Sequence, residues 1–562
     1  MSAASACRTA ALVLLLAMAG CDKAAPVALP AAAFDWFEYA GRDTGFERPA
    51  EQGEFRNPVL AGFYPDPSIT RVGDEYFLVN SSFAWYPGVP IFRSTDLVNW
   101  HQVGYVLDRE ELLPLEGLGV SRGVFAPTIR YHDGLFYMIT TLVDAGGNFY
   151  VTATDPAGPW SDPVWLPGID GIDPSLFFDN DGRTYVLNNG PPDYEPLYDG
   201  HRAIWIQELD LETGTLVGPR EVIVDGGVDP SSKPIWIEGP HVFKVDGWYY
   251  LIAAEGGTGF DHSEVVFRSR EVFGPYEPGP LNPILTQRDL DPGRPLPVIA
   301  TGHADFVQTP AGDWWSVFLG CRPYEGHLYN TGRETFLHPV TWQDGWPLIL
   351  EPARPVPLVA PAPDLPRSGP AALPTTGNFT WRDDFESPAL ALPWNTLRGP
   401  GDAWLDLERR PGKAVIEPVD ERLTGTSTPA YLARRQQHAA FTASTSMEMP
   451  QAYGMSAGLA VFQNARHHLY MGVRRHEAGW AVFLERVAGK EAGIIAEELL
   501  PAGDVQFIEL RVRADGRPYA FSYRLDEGEW ATLAGGIDGS ILSTEVAGGF
   551  VGSYLGLHAR RE

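Results

Sequence analysis

Asp66-Pro67-Ser68-Ile69-Thr70-Arg71-Val72-Gly73-Asp74-Glu75-Tyr76-Phe77 reads as a short apolar strand, a glycine-bearing turn and an aromatic strand, which by turn chemistry is a β-hairpin. The same phrase returns four times. Ala126-Pro127-Thr128-Ile129 leads to Asp133-Gly134-Leu135-Phe136-Tyr137, and Asp173-Pro174-Ser175-Leu176 leads to Asp181-Gly182-Arg183-Thr184-Tyr185. Gly239-Pro240-His241-Val242 leads to Asp246-Gly247-Trp248-Tyr249-Tyr250, and His303-Ala304-Asp305-Phe306 leads to Gly312-Asp313-Trp314-Trp315. Successive copies start roughly 50 to 65 residues apart, room for about four strands each, which is the size of a propeller blade. Five copies therefore predict a five-bladed β-propeller.

In a propeller the innermost strand of each blade lines the central channel, so equivalent positions at its start converge on one axis. Asp66, Ala126, Asp173, Gly239 and His303 are those equivalents, with Glu238 one residue ahead of the fourth. A single Asp-Pro is most simply a turn or strand-start residue. Three carboxylates focused on one opening are costly to pack together, and catalysis or a metal is the usual compensation.

The wider composition agrees. With 562 residues the chain needs at least two cores, and 60 glycines and 50 prolines beside 12% aromatic residues suit many short strands joined by turns, so the expected class is all-β. A net charge of −30 repels phosphate backbones and anionic lipid heads, so nucleic acid is excluded as a partner. Three cysteines, Cys7, Cys21 and Cys321, make no disulfide framework. Arg8 followed by the apolar run from Ala10 to Ala19 reads as a signal peptide, too short for a mature transmembrane helix. Its end, Leu16-Ala17-Met18-Ala19-Gly20-Cys21, resembles a bacterial lipobox in which Cys21 is lipidated, with Met18 where Leu is usual. The chain is thus expected to be exported, a membrane-anchored bacterial lipoprotein facing the periplasm or the cell surface and touching the membrane only through its lipid.

Between Glu351 and Gly377 there are eight prolines, which predicts an extended, proline-rich segment at a domain boundary. Beyond it, Phe441 to Met449 alternates apolar or small residues with polar ones, and Gly458-Leu459-Ala460-Val461-Phe462 and Phe507 to Val512 add further strands, so a β-sandwich follows. The expected organisation is a lipoprotein-type signal peptide over 1–20, a tether over 21–50, the propeller over 51–350, a linker over 351–377 and the sandwich over 378–562. Asp179-Asn180-Asp181-Gly182 is a turn rather than a calcium loop, since the later ligands are missing. Gly256-Gly257-Thr258-Gly259 lacks the strand-to-helix switch of a dinucleotide site, and no cofactor is implied.

The repeat starts, together with Asn57-Pro58-Val59-Leu60, the stretch Asn80 to Pro90, Ile237-Glu238-Gly239-Pro240-His241, Ala300-Thr301-Gly302-His303 and Gly332-Arg333-Glu334-Thr335, resemble glycoside hydrolase family 43. The resemblance is to its branch of β-xylosidases and arabinofuranosidases, and it covers almost the whole chain from about Asn57. Ala433-Arg434-Arg435-Gln436-Gln437-His438 and Phe462-Gln463-Asn464 resemble the C-terminal sandwich of that branch, a jelly-roll, concanavalin-like domain. The resemblance implies an inverting mechanism in which Asp66 matches the general base, Glu238 the general acid and Asp173 the carboxylate that orients the acid and raises its pKa. Inversion needs the two working carboxyls roughly 6.5–9.5 Å apart to admit a water.

Arg333 matches a residue that reaches the sugar, against the plainer role of an ion pair with a carboxylate such as Glu334. Phe83 and Trp85 match aromatics beside the first-blade pocket, and Phe125 stands where many relatives carry Trp. His303 matches a channel histidine that contacts a Ca²⁺ ion or its waters, so the resemblance implies His303 as the metal residue. Phe550 or Tyr554 could lend the sandwich's aromatic to the pocket rim, or both could be core. A closed pocket favours an exo-acting enzyme on xylo- or arabino-oligosaccharides. The first expectation is a xylan 1,4-β-xylosidase, the second an α-L-arabinofuranosidase, and the third a noncatalytic sugar-binding propeller.

Overall fold

Each hairpin of the repeat pairs as its turn chemistry requires, Ile69 opposite Leu78 in the first and Leu176 opposite Val186 in the third. The computed structural model describes residues 30–500, 503 and 505–562. Residues 1–20, read above as a signal peptide, and Cys21 lie outside the described residues. In each copy the hairpin is extended by further antiparallel strands, giving five sheets of which the first runs Ser68–Val72, Glu75–Val79, Gly88–Ser94 and His101–Leu107. The last begins with Ile299–Gln308 and ends with Trp346–Leu348. These are the five blades of a propeller.

The chain ahead of the first blade ties the ring shut. Val59 and Leu60 donate to the Thr335 carbonyl in the fifth blade, Thr335 returns a bond to Leu60, and the Asn57 side chain both accepts from the Leu337 amide and donates to its carbonyl. Lower in the channel, Arg130 from the second blade pairs with Asp305 from the fifth at 2.8 Å, and Ser68 from the first donates to the same carboxylate. The channel is therefore plugged by a buried ion pair below the level of the repeat starts.

The C-terminal half forms two packed eight-stranded sheets around one apolar core, as expected of a sandwich. Two of the expected boundaries need correction. Residues 32–41, placed in a tether, form a strand in the middle of one sandwich sheet, paired with Ala440–Glu448 on one side and with Phe379–Asp383 and Ala414–Ile416 on the other. The physical reason is in Phe34, Phe37 and Tyr39, aromatic residues fully buried in the sandwich core that a solvated tether could not carry. The proline-rich segment 351–377 runs extended as expected but is no free linker. Val359–Pro361 pairs with Glu54–Arg56, Thr375 accepts from the Ala61 amide, and Ser368 donates to Asp96, so it straps the propeller.

Propeller and sandwich share a continuous core. Trp85–Tyr86, from the first blade's loop, adds itself as the edge strand of the second sandwich sheet, opposite Leu397 and Thr396. There Trp85 is fully buried and stacks on Tyr554 with centroids 3.6 Å apart. Trp85 thus corrects a second expectation: it does not reach the sugar pocket, because its ring is spent on locking the two domains together.

Candidate active site

Asp66, Asp173, Gly239 and His303 share one backbone state, with φ of 52°, 54°, 57° and 54°. This is the left-handed region that residues other than glycine adopt only at a cost of about 1–3 kcal/mol. In three of the blades it coincides with a slip of register in the innermost hairpin, between Ile172 and Ser175, Glu238 and His241, and Gly302 and Asp305. A bulge of this kind turns a side chain out of the sheet's alternation. Repeated around the ring, it aims the first residue of each inner strand at the channel mouth. Ala126, the remaining equivalent, does not adopt it.

The offset of Glu238 has a steric cause. A Cβ placed on Gly239 would come within 2.9 Å of the His303 ring, so the equivalent position in the fourth blade has to be glycine. The carboxylate is carried by the residue before it, which pairs with Ala254 ahead of the bulge.

Asp66, Asp173, Glu238, His303 and Arg333 all open onto one cavity of about 750 Å³. Both oxygens of Asp66 accept hydrogen bonds, one from Ser81 and one from Arg333 Nη1 at 2.5 Å. Glu334, the alternative partner of Arg333, is taken instead by Arg322 at 2.7 Å and by the Gly62 amide. Arg333 Nε is buried and has no protein partner. Burial pushes Glu238 well above the usual carboxylate range, and the neighbouring charges of Asp173 and then Asp66 push it further, against Arg333 and Arg202. Burial also pushes Asp173 up to about 6, with Asp66 adding to the rise and His303, the Gly239 amide and Arg333 opposing it. One carboxyl held protonated opposite another clamped by a cation is the arrangement acid-base hydrolysis needs.

The apolar wall is aromatic. Phe83 and Phe125 lie 4.9 Å apart, and Phe550 stacks over Phe83 at 6.2 Å. Phe550 comes from the sandwich and is held by its own amide donating to Ser121 Oγ of the propeller, so the second domain completes the pocket. Tyr554 does not, being fully buried against Trp85.

Sequence reading missed Trp236, Arg202 and Asn189 as pocket residues. Arg202 lies over the Trp236 ring at 4.1 Å, and Asn189 keeps an unpartnered buried carbonyl oxygen while its amide donates to Ile237. Trp236 stands two residues before Glu238, and that closeness to the acid is the one signal in the sequence that could have marked it. Asn189, in the strand Thr184–Gly190, and Arg202, just ahead of the strand Ala203–Asp210, carry no motif, so only the closed ring brings them near.

His303 sits at the channel mouth with the acids. Ca²⁺ takes six to eight oxygen ligands. Among the described residues no three His, Cys, Asp or Glu side chains are grouped to hold an ion, so this donor set does not by itself fit one.

Residues 55–347 match the family model of glycosyl hydrolases family 43, and residues 382–562 match that of the beta xylosidase C-terminal concanavalin A-like domain. The chain is 42% identical over 509 residues to a xylosidase/arabinosidase of Butyrivibrio fibrisolvens, covering 90% of this chain and 95% of that one. It is 38% identical over 517 residues to a non-reducing end alpha-L-arabinofuranosidase of Bacteroides ovatus, covering 90% and 92%. Among solved structures, a family 43 subfamily 12 protein retrieved from capybara gut metagenome superposes with a TM-score of 0.89 at 41% identity, covering 94% of this chain and 100% of that one. A xylan beta-1,4-xylosidase from Bacillus halodurans superposes with a TM-score of 0.81 at 34% identity, covering 90% and 97%.

Proposed function

Because this chain belongs to glycosyl hydrolases family 43, and is therefore a glycosidase, we propose that it removes single terminal pentoses from xylan-derived oligosaccharides by inversion. Xylan 1,4-β-xylosidase is the first reading. The observation that carries it is the convergence of Asp66, Asp173 and Glu238 on one cavity that Phe550 closes from the second domain. Glu238, kept protonated by burial and by Asp173, donates its proton to the leaving oxygen as the glycosidic bond breaks. Asp66 takes a proton from a water that attacks the anomeric carbon from the opposite face. Each of its oxygens has a second lone pair beyond the bonds from Ser81 and Arg333, so it can accept that water. Asp173 orients Glu238 and repels its ionised form. Phe83, Phe125 and Phe550 supply a face for the sugar ring, and Arg333 and Asn189, which line the same cavity, supply polar groups for its hydroxyls.

The α-L-arabinofuranosidase reading stands second, supported by the 38% identity to the Bacteroides ovatus enzyme of that name. Turnover of an aryl β-xyloside and an aryl α-L-arabinofuranoside by the wild type and by Glu238→Gln separates these readings. Full activity in the variant would remove Glu238 from the mechanism, and a product that keeps its anomeric configuration by NMR would remove Asp66 as base. Export and lipidation at Cys21 are supported by the sequence of residues 16–21. Metabolic labelling with a fatty acid, lost in Cys21→Ala, tests that anchor.

A further inference from the structure

Three arginines line the catalytic cavity, Arg122, Arg202 and Arg333. Two of them are spent inside the protein. Arg333 holds Asp66, and Arg122 forms a two-pronged pair with Asp144, Nε to Oδ2 at 2.5 Å and Nη2 to Oδ1 at 2.8 Å. Arg202 makes no ion pair among the described residues, and the one hydrogen bond of its side chain is a long one of 3.3 Å from Nη1 to the neighbouring His201 carbonyl. In a chain of net charge −30 acids are plentiful, yet none is set against this half-buried cation. The acids of the lining have other roles: Asp66, Asp173 and Glu238 are the catalytic set, and Asp170 is exposed beside Arg220, which donates to its carbonyl at 3.0 Å.

The place of Arg202 is fixed by its neighbours. A Cβ on Gly200 would come within 2.9 Å of Ile235 Cγ2, so the turn ahead of Arg202 packs directly on Ile235 and Trp236. Trp236 holds φ of 52°, a left-handed state costly for any residue but glycine, and its amide donates to the Gly200 carbonyl at 2.9 Å. The guanidinium of Arg202 lies over the Trp236 ring at 4.1 Å, which sets its plane, covers one face and leaves its N–H edge for a partner. Trp236 precedes Glu238 by two residues, and the charge of Arg202 acts on Glu238. Arg202 and Trp236 therefore stand on the acid's side of the cavity. In an inverting hydrolase that side receives the leaving sugar, because the acid protonates the departing oxygen while the base works from the opposite face. Ile235, 49% exposed and packed beside Gly257 of the lining, carries this wall on to the surface and gives room for a branched leaving group.

A planar fork of N–H donors fits a carboxylate in two-point contact. On a sugar, that carboxylate belongs to a uronic acid. We propose that Arg202, laid on Trp236, is a leaving-group subsite for uronic acid: it takes the carboxylate of a glucuronic acid branch on the sugar that departs. The favoured substrates are then oligosaccharides in which the sugar next to the terminal pentose carries an acidic branch. The inference rests on the glycosidase reading above for the side on which the leaving group lies, and it holds whether the terminal pentose is xylose or arabinose. A neutral sugar offers hydroxyls to the same N–H groups but leaves the charge of Arg202 uncompensated in the wall.

The probes are a disaccharide of glucuronic acid joined to xylose, which is the leaving group such a substrate releases, and the same disaccharide with its carboxylate reduced to a hydroxymethyl group. Turnover of plain xylobiose is followed separately: its absence would fail the xylosidase reading, while the two disaccharides still decide the subsite by binding alone. Calorimetry on the full chain is expected to show the acid form bound roughly 10-fold more tightly than the reduced form. The preference should fade as sodium chloride is raised, since a half-exposed ion pair is screened. It should vanish in Arg202→Gln, with folding of the variant checked by its melt. Equal binding of the two forms by the wild type, a preference that salt leaves unchanged, or one that persists in Arg202→Gln overturns the proposal.

Discussion

Arg333 Nη1 donates to Asp66 Oδ1 at 2.5 Å while its Nη2 reaches the Phe550 carbonyl at 3.4 Å, so one guanidinium joins the proposed base to the wall contributed by the other domain. That geometry needs a planar fork, which lysine does not have. Arg333→Lys is expected to lower kcat/KM by on the order of 10²-fold while moving the melting temperature little, since a preorganised donor is lost and a charge is kept. Steady-state kinetics on an aryl β-xyloside beside a thermal melt checks it. A Lys variant within about twofold of wild type would mean that Arg333 serves only as a charge.

Asp173 and Glu238 make a prediction in pH. The negative charge of Asp173 helps to hold Glu238 protonated, so Asp173→Asn should let Glu238 ionise earlier and move the alkaline limb of kcat/KM to lower pH. An unmoved limb with reduced kcat would leave Asp173 a purely steric role.

The same residue predicts stability. A carboxyl whose folded pKa is raised, here from 3.8 to about 6, stabilises the fold fully below its unfolded pKa and loses that contribution as pH rises through about 6. Asparagine does not titrate, so Asp173→Asn should melt a few degrees above wild type at pH 7.5, and this advantage should shrink as pH falls to 4. An advantage that is constant across pH would contradict the raised pKa.

Phe550 is 37% exposed and stacks over Phe83, whereas Trp85 is fully buried and stacks on Tyr554. Phe550→Ala should therefore raise KM several-fold, in keeping with about 0.5–1.5 kcal/mol for an aromatic contact, and leave the melt nearly unchanged. Trp85→Ala should do the reverse, costing about 3–5 kcal/mol of stability as a core truncation. Kinetics and melts on the pair decide it, and a Trp85 variant with raised KM but an intact melt would return Trp85 to the pocket.

What the sequence made legible follows from what repeats. The hairpin phrase carried the blade count, and because inner strands converge, it also carried Asp66, Asp173 and His303 to one mouth. Motif resemblance added Glu238 and Arg333, but why the acid precedes Gly239 needed the His303 ring to be in place. Trp85 misled because a motif match assigns a residue to a neighbourhood and not to a partner. Its strand was claimed by a sheet whose other members lie more than 300 residues away. Asn189 and Arg202 were illegible because they carry no motif, one in a strand and the other just ahead of one, and are given their role only by ring closure.

Residues 32–41 show the limit most plainly and yield a direct test. Their position ahead of the first blade suggested a tether, yet Phe34, Phe37 and Tyr39 are fully buried and the strand lies between Ala440–Glu448 and two other strands. Each buried aromatic contributes about 3–5 kcal/mol, so removing three takes roughly 10 kcal/mol from a fold whose margin is about 5–15 kcal/mol. A tether could be cut away without effect. A chain beginning at residue 51 should instead expose the core of one sandwich sheet and melt far below the chain that begins at residue 30, or fail to fold. Because Phe550 is held from that sandwich, whatever truncated protein remains soluble should also show a raised KM. Expression of the two chains side by side, with melts and kinetics, checks it. Equal stability would mean that the sandwich closes its sheet without this strand.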